Sequence, residues 1–559
     1  MEYLWIVIFG GIVSFFNSWG IGANDCANSF ATSVGAKVLT LRQALYIASI
    51  FEFLGAFLMG SHVTDTVRKK IVDIDVFEAD PYALMLGMMC ANFAAGVWLL
   101  IATYFKYPVS TTHSIIGAIV GFALAYEGSS AIVWKTVGFI VLSWIISPIL
   151  SGIFSYSIFY GVRRYVYRSV EPFKMTLRIF PILTFITFLI NSFFIFYKGA
   201  PQLKLDEIDL WISLVTSFSI AILMGLLAWL LYVPYAKRKI MANFNETNRN
   251  LPENAQRASN IIVLQRLEHI GESYTDEEIN TTSDANANAN ANADANANAN
   301  ANANANANND ITNNNTNNNG NTRIYAEIEP DITPADEVIE TATNPDEGPL
   351  YHEDESLDSN IKRIKNYYKE LEIRKKYDTI NSLHESSEVF EPKVEKLCSW
   401  LQIITACFSS FAHGANDVAN SAAPFATVYA IYLTGEVNKK SDVPIWILAM
   451  GGVGIVIGLG TWGYKIIERI GSELTKVTAS RGFIIELSAA LSTVIASRTE
   501  MPVSTTHCQV GSVIGCGLAD GKNNVEWRHV KNIILSWVIT LPVTGLISAG
   551  LFSFGYYSP

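Results

Sequence analysis

Charge is what this sequence has least of. Lys, Arg, Asp and Glu make up 16% of 559 residues, against 50% hydrophobic residues, and mean hydropathy is +0.24. Those values lie outside the usual range for a soluble protein of this length and indicate a polytopic membrane protein. The formal net charge of -11 says little about the membrane part, because 29 of the 51 acids fall between residues 236 and 396. No basic stripe of nucleic-acid-binding type is present, so no nucleic-acid partner is expected. Cysteine is also sparse. Cys26, Cys90, Cys398, Cys407, Cys508 and Cys516 lie in or beside apolar segments without a CxxC pair, which argues against a disulfide framework or a thiolate metal site and for buried thiols. The first apolar run begins at Tyr3 with no basic region or small-residue cleavage site before it, so it reads as a retained span.

What is present is a long series of apolar runs. They lie near 3–36, 42–66, 82–106, 114–126, 131–160, 173–198 and 207–234, and again near 398–435, 444–468, 479–501, 508–520 and 530–555. These twelve segments predict an all-α membrane protein. The runs 114–126 and 508–520 span roughly 20 Å as helix, too short for a hydrocarbon core of about 30 Å. Each is expected to be the returning arm of a re-entrant hairpin. Between the two halves, residues 236–396 contain an alternating Asn-Ala tract from Ala285 to Asn308 and Asn-rich sequence to about Asn321, a composition too polar to pack. Four parts follow: a first repeat over 1–160, connecting helices over 161–235, a largely disordered loop over 236–396, and a second repeat over 397–559. Ile361 to Tyr377, near the loop's end, has the spacing of an amphipathic helix, either on the inner membrane surface or simply half solvated.

The chain is organised by two duplicated motifs. Gly22-Ala23-Asn24-Asp25-Cys26-Ala27-Asn28-Ser29 recurs as Gly414-Ala415-Asn416-Asp417-Val418-Ala419-Asn420-Ser421, and Pro108-Val109-Ser110-Thr111-Thr112-His113 recurs unchanged as Pro502-Val503-Ser504-Thr505-Thr506-His507. The paired motifs start 86 and 88 residues apart. An odd number of crossings between the copies would invert one half relative to the other, as in many secondary transporters. The basic residues Arg163, Arg164, Arg168, Lys174 and Lys237 to Lys239 mark the cytoplasmic face in that topology. Both termini are then extracellular, while Arg68, Lys69 and Lys70 fall on the opposite side from the rule.

Asp25, Glu52, Asp417 and Glu486 stand inside apolar helices, where a carboxylate is costly unless a cation or proton accompanies it. The alternative is pairing with Lys or Arg of a neighbouring helix, for which Lys106 and Arg498 are the nearest candidates. Asn24, Asp25 and Asn28, with Asn416, Asp417 and Asn420, offer hard oxygen ligands suited to Na⁺, supplemented by carbonyls of a helix expected to be broken or unwound there. The asparagines could instead serve helix–helix hydrogen bonding. Ser110, Thr111 and Thr112, and Ser504, Thr505 and Thr506, each follow a proline and open a short helix. Hydroxyls and free N–H groups at such a start make an anion site, and the competing explanation is ordinary capping. His113 and His507 cap or orient the tips, or touch substrate. Counting back from the tip histidines puts Asn92 opposite Glu486, so that acid breaks the pseudo-symmetry.

These residues, with the run Thr40-Leu41-Arg42-Gln43-Ala44 continuing to Phe51-Glu52 and Gly55, resemble the inorganic phosphate transporter family, the sodium-phosphate symporters of the type found in eukaryotes. The resemblance covers about 1–160 and 398–559. It implies phosphate at the hairpin-tip Ser/Thr residues, sodium near the Asn-Asp motifs, and transport-critical acids that would here be Glu52 and Glu486. His413 also matches a family position, with a coupling or gating role. The implied protein is no enzyme and needs no cofactor beyond coupling sodium ions. It works in a lipid bilayer, the plasma membrane, and a homodimer is compatible with it. A proton-coupled phosphate or sulfate permease is the near alternative, and a receptor or channel the alternative of another class.

Overall fold

The computed structural model describes residues 3–25, 27–69, 71–198, 208–250, 386–437, 443–498 and 504–558. Cys26, the Asn-Ala tract, the 361–377 stretch and Pro502-Val503 lie outside the described residues. Met1–Met241 and Tyr368–Pro559 form one compact unit, and Ala242–Tyr367 a second. Helices carry the first unit: α1 Leu4–Asn24, α2 Ala27–Gly35, α3 Leu41–Lys69, α4 Pro81–Tyr104, α5 Thr111–Glu127, α6 Trp134–Val162, α7 Pro172–Lys198, α8 Leu210–Leu227 and α9 Val233–Asn250, whose last turns enter the second unit. After the loop come α10 Pro392–Asp417, α11 Ala419–Thr434, α12 Ile445–Trp462, α13 Tyr464–Glu468, α14 Ala479–Arg498, α15 Thr505–Asp520 and α16 Trp527–Tyr557.

Nine helical stretches among the described residues are long and apolar enough to cross a membrane. The sequence suggests twelve segments. The three that fall short correspond to α10 with α11, to α14 and to α15. The first two carry His413, Asp417, Arg481 and Glu486, and α15 has only 16 residues. Low hydropathy there marks the polar interior of the bundle.

One expectation needs correction. The returning arms α5 and α15 have 17 and 16 residues, longer than thirteen, because each helix begins on the first threonine of its tip. Ser110 and Ser504 sit just before those starts in extended conformation, and each side chain accepts a hydrogen bond from the N–H of His113 or His507. Capping therefore sets where the helix starts. With the 3-10 turn that follows it, the first arm is long enough to count among the nine. At the two Asn-Asp motifs the helix is interrupted as expected: α1 ends at Asn24 and α2 begins at Ala27, and α10 ends at Asp417 and α11 begins at Ala419. Asp25 (φ -91°, ψ -41°) and Val418 (φ -57°, ψ -31°) keep helical backbone angles, and side-chain bonds from Asn28 to Asp25 (2.7 Å) and from Asn420 to Asp417 (3.0 Å) span each break.

Packing repeats with the sequence. α1 lies against α4 and α12, and α10 against α14 and α3. α6 packs on α15 along a four-residue ladder of buried Ser143, Ser147, Ser151 and Ser155, while α16 packs on α5 along Ser536, Thr540, Thr544 and Ser548. Small polar faces of this kind let helices approach closely where no hydrophobic driving force separates helix from lipid. α7 and α8 pair with each other, and α7 leans on α10 and α14.

The two ends of the bundle differ in character. At one end Tyr3 stacks near Tyr82, Tyr556 donates to Asp80 (2.6 Å) and Tyr557 to the carbonyl of Ala125 (3.2 Å), so both chain ends and the exit of α5 meet there. At the other end Arg163 and Arg481 both pair with Asp520 at the exit of α15 (3.2 and 2.8 Å), and Arg168 pairs with Glu388 (2.9 Å) at the return of the long loop. α5 thus ends in the first group and α15 in the second, and the starts of the two helices meet through the rings of His113 and His507.

Candidate functional site

The first glycine of each Asn-Asp motif is required by a close helix crossing. A Cβ on Gly22 would lie 1.9 Å from the carbonyl oxygen of Ile455, and one on Gly414 would lie 2.1 Å from that of Glu52. Without side chains at these two points, α1 seats on α12 and α10 on α3, which carries the adjacent Asp25 and Asp417 into the bundle interior. Both aspartates are 1% exposed.

The matched crossings bring different chemistry. In the second half, His413 precedes Gly414 and faces Glu52, its Nδ1 3.0 Å from Oε2. In the first half the corresponding pair is Ile21 and Ile455. The imidazole is therefore single, and three carboxylates converge on it: Nε2 lies 2.7 Å from Asp417 and 3.6 Å from Asp25. Ser410 also donates to Glu52 (2.9 Å). Asp25, His413 and Asp417 are grouped closely enough to share a metal ion. Among the described residues no lysine or arginine pairs with Asp25 or Asp417. Lys106 points to Glu468 instead (2.6 Å), and the side chain of Arg498 lies outside the described residues.

The hairpin tips close over this cluster by exchange. Asn28 donates to Thr506 of the second tip (3.2 Å), and Asn420 donates to Thr111 and Thr112 of the first (3.0 and 3.3 Å). Asp25 receives hydroxyls from both tips, Thr111 at 2.9 Å and Thr506. Thr505 reaches toward Asp417 (3.4 Å), and Asn416 donates to Asp417 (3.3 Å). The buried Oδ1 of Asn28 has no hydrogen-bond partner. A buried acceptor left in that state costs about 1–3 kcal/mol, which a bound cation would recover.

Other residues singled out in the sequence stand apart. Asn24 spends its amide on the first hairpin, donating to Thr103 and to the carbonyl of Tyr107 (both 2.9 Å) and accepting from the N–H of Val109 (2.9 Å). It fastens the tip, and among the described residues its side chain makes no hydrogen bond to the carboxylate cluster. Glu486 accepts from Thr32 and Thr405. Thr405 is two turns before His413 on α10, so this acid sits roughly 12 Å along the axis from the cluster at 1.5 Å per residue. Asn92 lies at an equivalent place in the first half and bonds Asn17 (2.8 Å) and the carbonyl of Ser421 (3.0 Å). Neither Thr32, Thr405 nor Ser410 belongs to a motif, and only their burial on polar helix faces would have singled them out. The same holds for Asn191 of α7, which lines a cleft beside the cluster together with Asn28, Ser29, His413, Thr505 and Gln509.

Comparison with known proteins bears on this arrangement. The chain is 32% identical to "Sodium-dependent phosphate transporter 1" of Rattus norvegicus, covering 98% of this chain and 95% of the relative. Against the Felis catus protein of the same name the identity is 33%, covering 99% and 95%, and against that of Homo sapiens 32%, covering 100% and 97%. A solved structure described as "The sodium-dependent phosphate transporter" superposes with a TM-score of 0.66 at 28% identity, covering 99% of this chain and all of the other. The model of the phosphate transporter family matches residues 21–548, nearly the whole chain, and the chain belongs to that family.

Proposed function

We propose that this protein carries inorganic phosphate into the cell in symport with sodium ions, with phosphate held between the two hairpin tips and sodium at the two Asn-Asp motifs. One observation carries the reading: Asp25 and Asp417 are buried and share a single imidazole. Even a protonated His413 offsets one of two negative charges, and Glu52 draws on the same ring. Burying the excess charge costs several kcal/mol unless cations accompany it. The oxygens around it, including the unpartnered Asn28 Oδ1, form a hard set appropriate to Na⁺.

Coupling follows from the hydroxyls. Thr111 and Thr506 donate their hydroxyl hydrogens to Asp25, and the carboxylates repel an anion approaching the tips. Sodium at Asp25 and Asn28 neutralises the repulsion and releases those hydroxyls. The helix-start N–H groups of Thr112 and Thr506 and the hydroxyls of Ser110 and Ser504 complete a donor set for a tetrahedral oxyanion. Each ligand then strengthens the other's binding by the same factor. The side-chain oxygens of Ser110 and Ser504 act as caps, but accepting a bond leaves each hydroxyl hydrogen free to donate.

The meeting of the two helix starts, with α5 and α15 ending in separate groups, supports two inverted repeats and alternating access around a fixed site. A cleft lined by Asn191, Thr505 and Gln509 adjoins it. Arg163, Arg168 and Arg481 gather at the end where the long loop returns, which supports a cytoplasmic loop and extracellular termini. Glu52, through His413, and Glu486, through Thr32 and Thr405, are assigned to coupling or gating.

The test is phosphate uptake into proteoliposomes at fixed pH with Na⁺ replaced by choline. Uptake collapses in choline if sodium is the coupling ion. Uptake that persists in choline and follows a pH gradient would establish proton coupling instead.

A further inference from the structure

The tip histidines lie one residue beyond the donors assigned to the anion, and the transport reading gives them no task. Both are 1% exposed. Their rings meet edge to face, with centroids 4.5 Å apart at 87°. Each is backed by a tryptophan from another helix: His113 lies 3.8 Å from Trp144 of α6, and His507 lies 3.7 Å from Trp537 of α16. The resulting four-ring column is pinned to the backbone at two points. Trp537 Nε1 donates to the carbonyl of Pro108 (3.0 Å), and His507 Nδ1 lies 3.3 Å from the carbonyl of Trp144. Neither ring nitrogen of His113, nor Nε2 of His507, has a hydrogen-bond partner. A neutral imidazole must carry one N–H, and the edge-to-face contact offers that N–H a ring face as a weak acceptor.

We propose that the column Trp144–His113–His507–Trp537 is the spacer that fixes the distance between the two anion-binding helix starts, and so determines which tetrahedral oxyanion fits between them. The inference rests on the hairpin-tip phosphate site. His113 and His507 are the N3 residues of their helices, and their own N–H groups are tied to Ser110 and Ser504. A change in ring separation is therefore passed directly to the Ser and Thr donors one turn away. α6 and α16 hold the outer tryptophans through the Ser and Thr ladders, so the column cannot relax outward without parting close helix contacts. The histidines are positioning residues. They touch each other and the two tryptophans, and they act on size discrimination between phosphate and the larger arsenate.

Binding of phosphate and of arsenate to purified protein in saturating NaCl tests this, and binding is read so that a failure of sodium-driven transport would leave the outcome intact. His113→Ala and His507→Ala shorten the column; His113→Phe keeps a ring. The alanine variants should lose phosphate affinity about tenfold, equivalent to about 1.4 kcal/mol, while arsenate affinity falls by a clearly different factor. His113→Phe should keep the wild-type arsenate-to-phosphate ratio. Should an alanine variant fail to fold, His113→Asn shortens the column with less loss of volume and should move the ratio in the same direction. The proposal is overturned if the folded shortened variants bind both anions with the wild-type ratio, or if His113→Phe shifts the ratio as much as they do.

Discussion

At the scale of single residues, the site is governed by uncompensated charge, since three carboxylates share one imidazole. Asp25→Asn or Asp417→Asn keeps size and removes the carboxylate that a cation would neutralise. The Na⁺ concentration for half-maximal uptake should rise about tenfold or more, the equivalent of about 1.4 kcal/mol of lost cation binding, with little change in yield. Wild-type Na⁺ dependence in either variant would make its carboxylate structural. Two asparagines give a sharper contrast. Asn28→Ala removes the unpartnered Oδ1 beside Asp25 and should raise the Na⁺ requirement. Asn24→Ala removes three bonds that fasten the first hairpin and should lower thermal stability while leaving the Na⁺ requirement of the surviving protein unchanged. Ser110→Ala loses a hydroxyl donor to a charged ligand, worth about 1.5–3 kcal/mol, so phosphate affinity should fall by roughly one to two orders of magnitude. It also loses a cap worth about 0.5–2 kcal/mol, so a melting curve belongs beside the affinity measurement.

At the scale of elements, the duplicated crossing of α1 on α12 and α10 on α3 is the joint that carries the aspartates. Gly414→Ala would push a Cβ into the carbonyl of Glu52. Overpacking of this kind typically destabilises by about 1–3 kcal/mol, and the helix separation would also draw His413 from Glu52. The measurement is detergent-solubilised thermal stability; an alanine variant as stable and active as wild type would show that the crossing has slack. The same elements explain what the sequence made legible. Duplicated Gly-Ala-Asn-Asp and Ser-Thr-Thr-His motifs announce two polar breaks and two helix starts because those features are local, written in residues side by side. His413 bridging Asp25 and Glu52, Thr405 and Thr32 meeting on Glu486, and the Trp144–Trp537 column are contacts between separate helices, most of them far apart in the chain. Local periodicity carries no trace of them. The expectation of a broken helix is, like the motifs, local, and the Asn28–Asp25 and Asn420–Asp417 side-chain bonds span the two breaks. Asn24 and Asn28 look alike in the motif, and only the fold shows that one fastens a hairpin while the other faces a carboxylate.

At the scale of the whole molecule, the Asn-rich loop and the transporter unit make separate predictions. The acceptor-like triplets Asn245-Glu246-Thr247, Asn280-Thr281-Thr282 and Asn314-Asn315-Thr316 should carry no glycan if the loop stays cytoplasmic, and mass spectrometry of protein from a eukaryotic membrane reads this directly. Glycan on any of them would reverse the topology. Deleting most of the loop should leave uptake intact. The central claim is that buried, under-neutralised aspartates oblige sodium to travel with phosphate, and simultaneous uptake of labelled sodium and labelled phosphate by proteoliposomes tests it most directly. With a sodium at each of the two Asn-Asp motifs, about two Na⁺ should enter per phosphate, and an inside-negative potential, worth about 2.3 kcal/mol per charge at 100 mV, should accelerate entry of monovalent phosphate. Phosphate entry at an undiminished rate with no accompanying sodium flux would contradict the account.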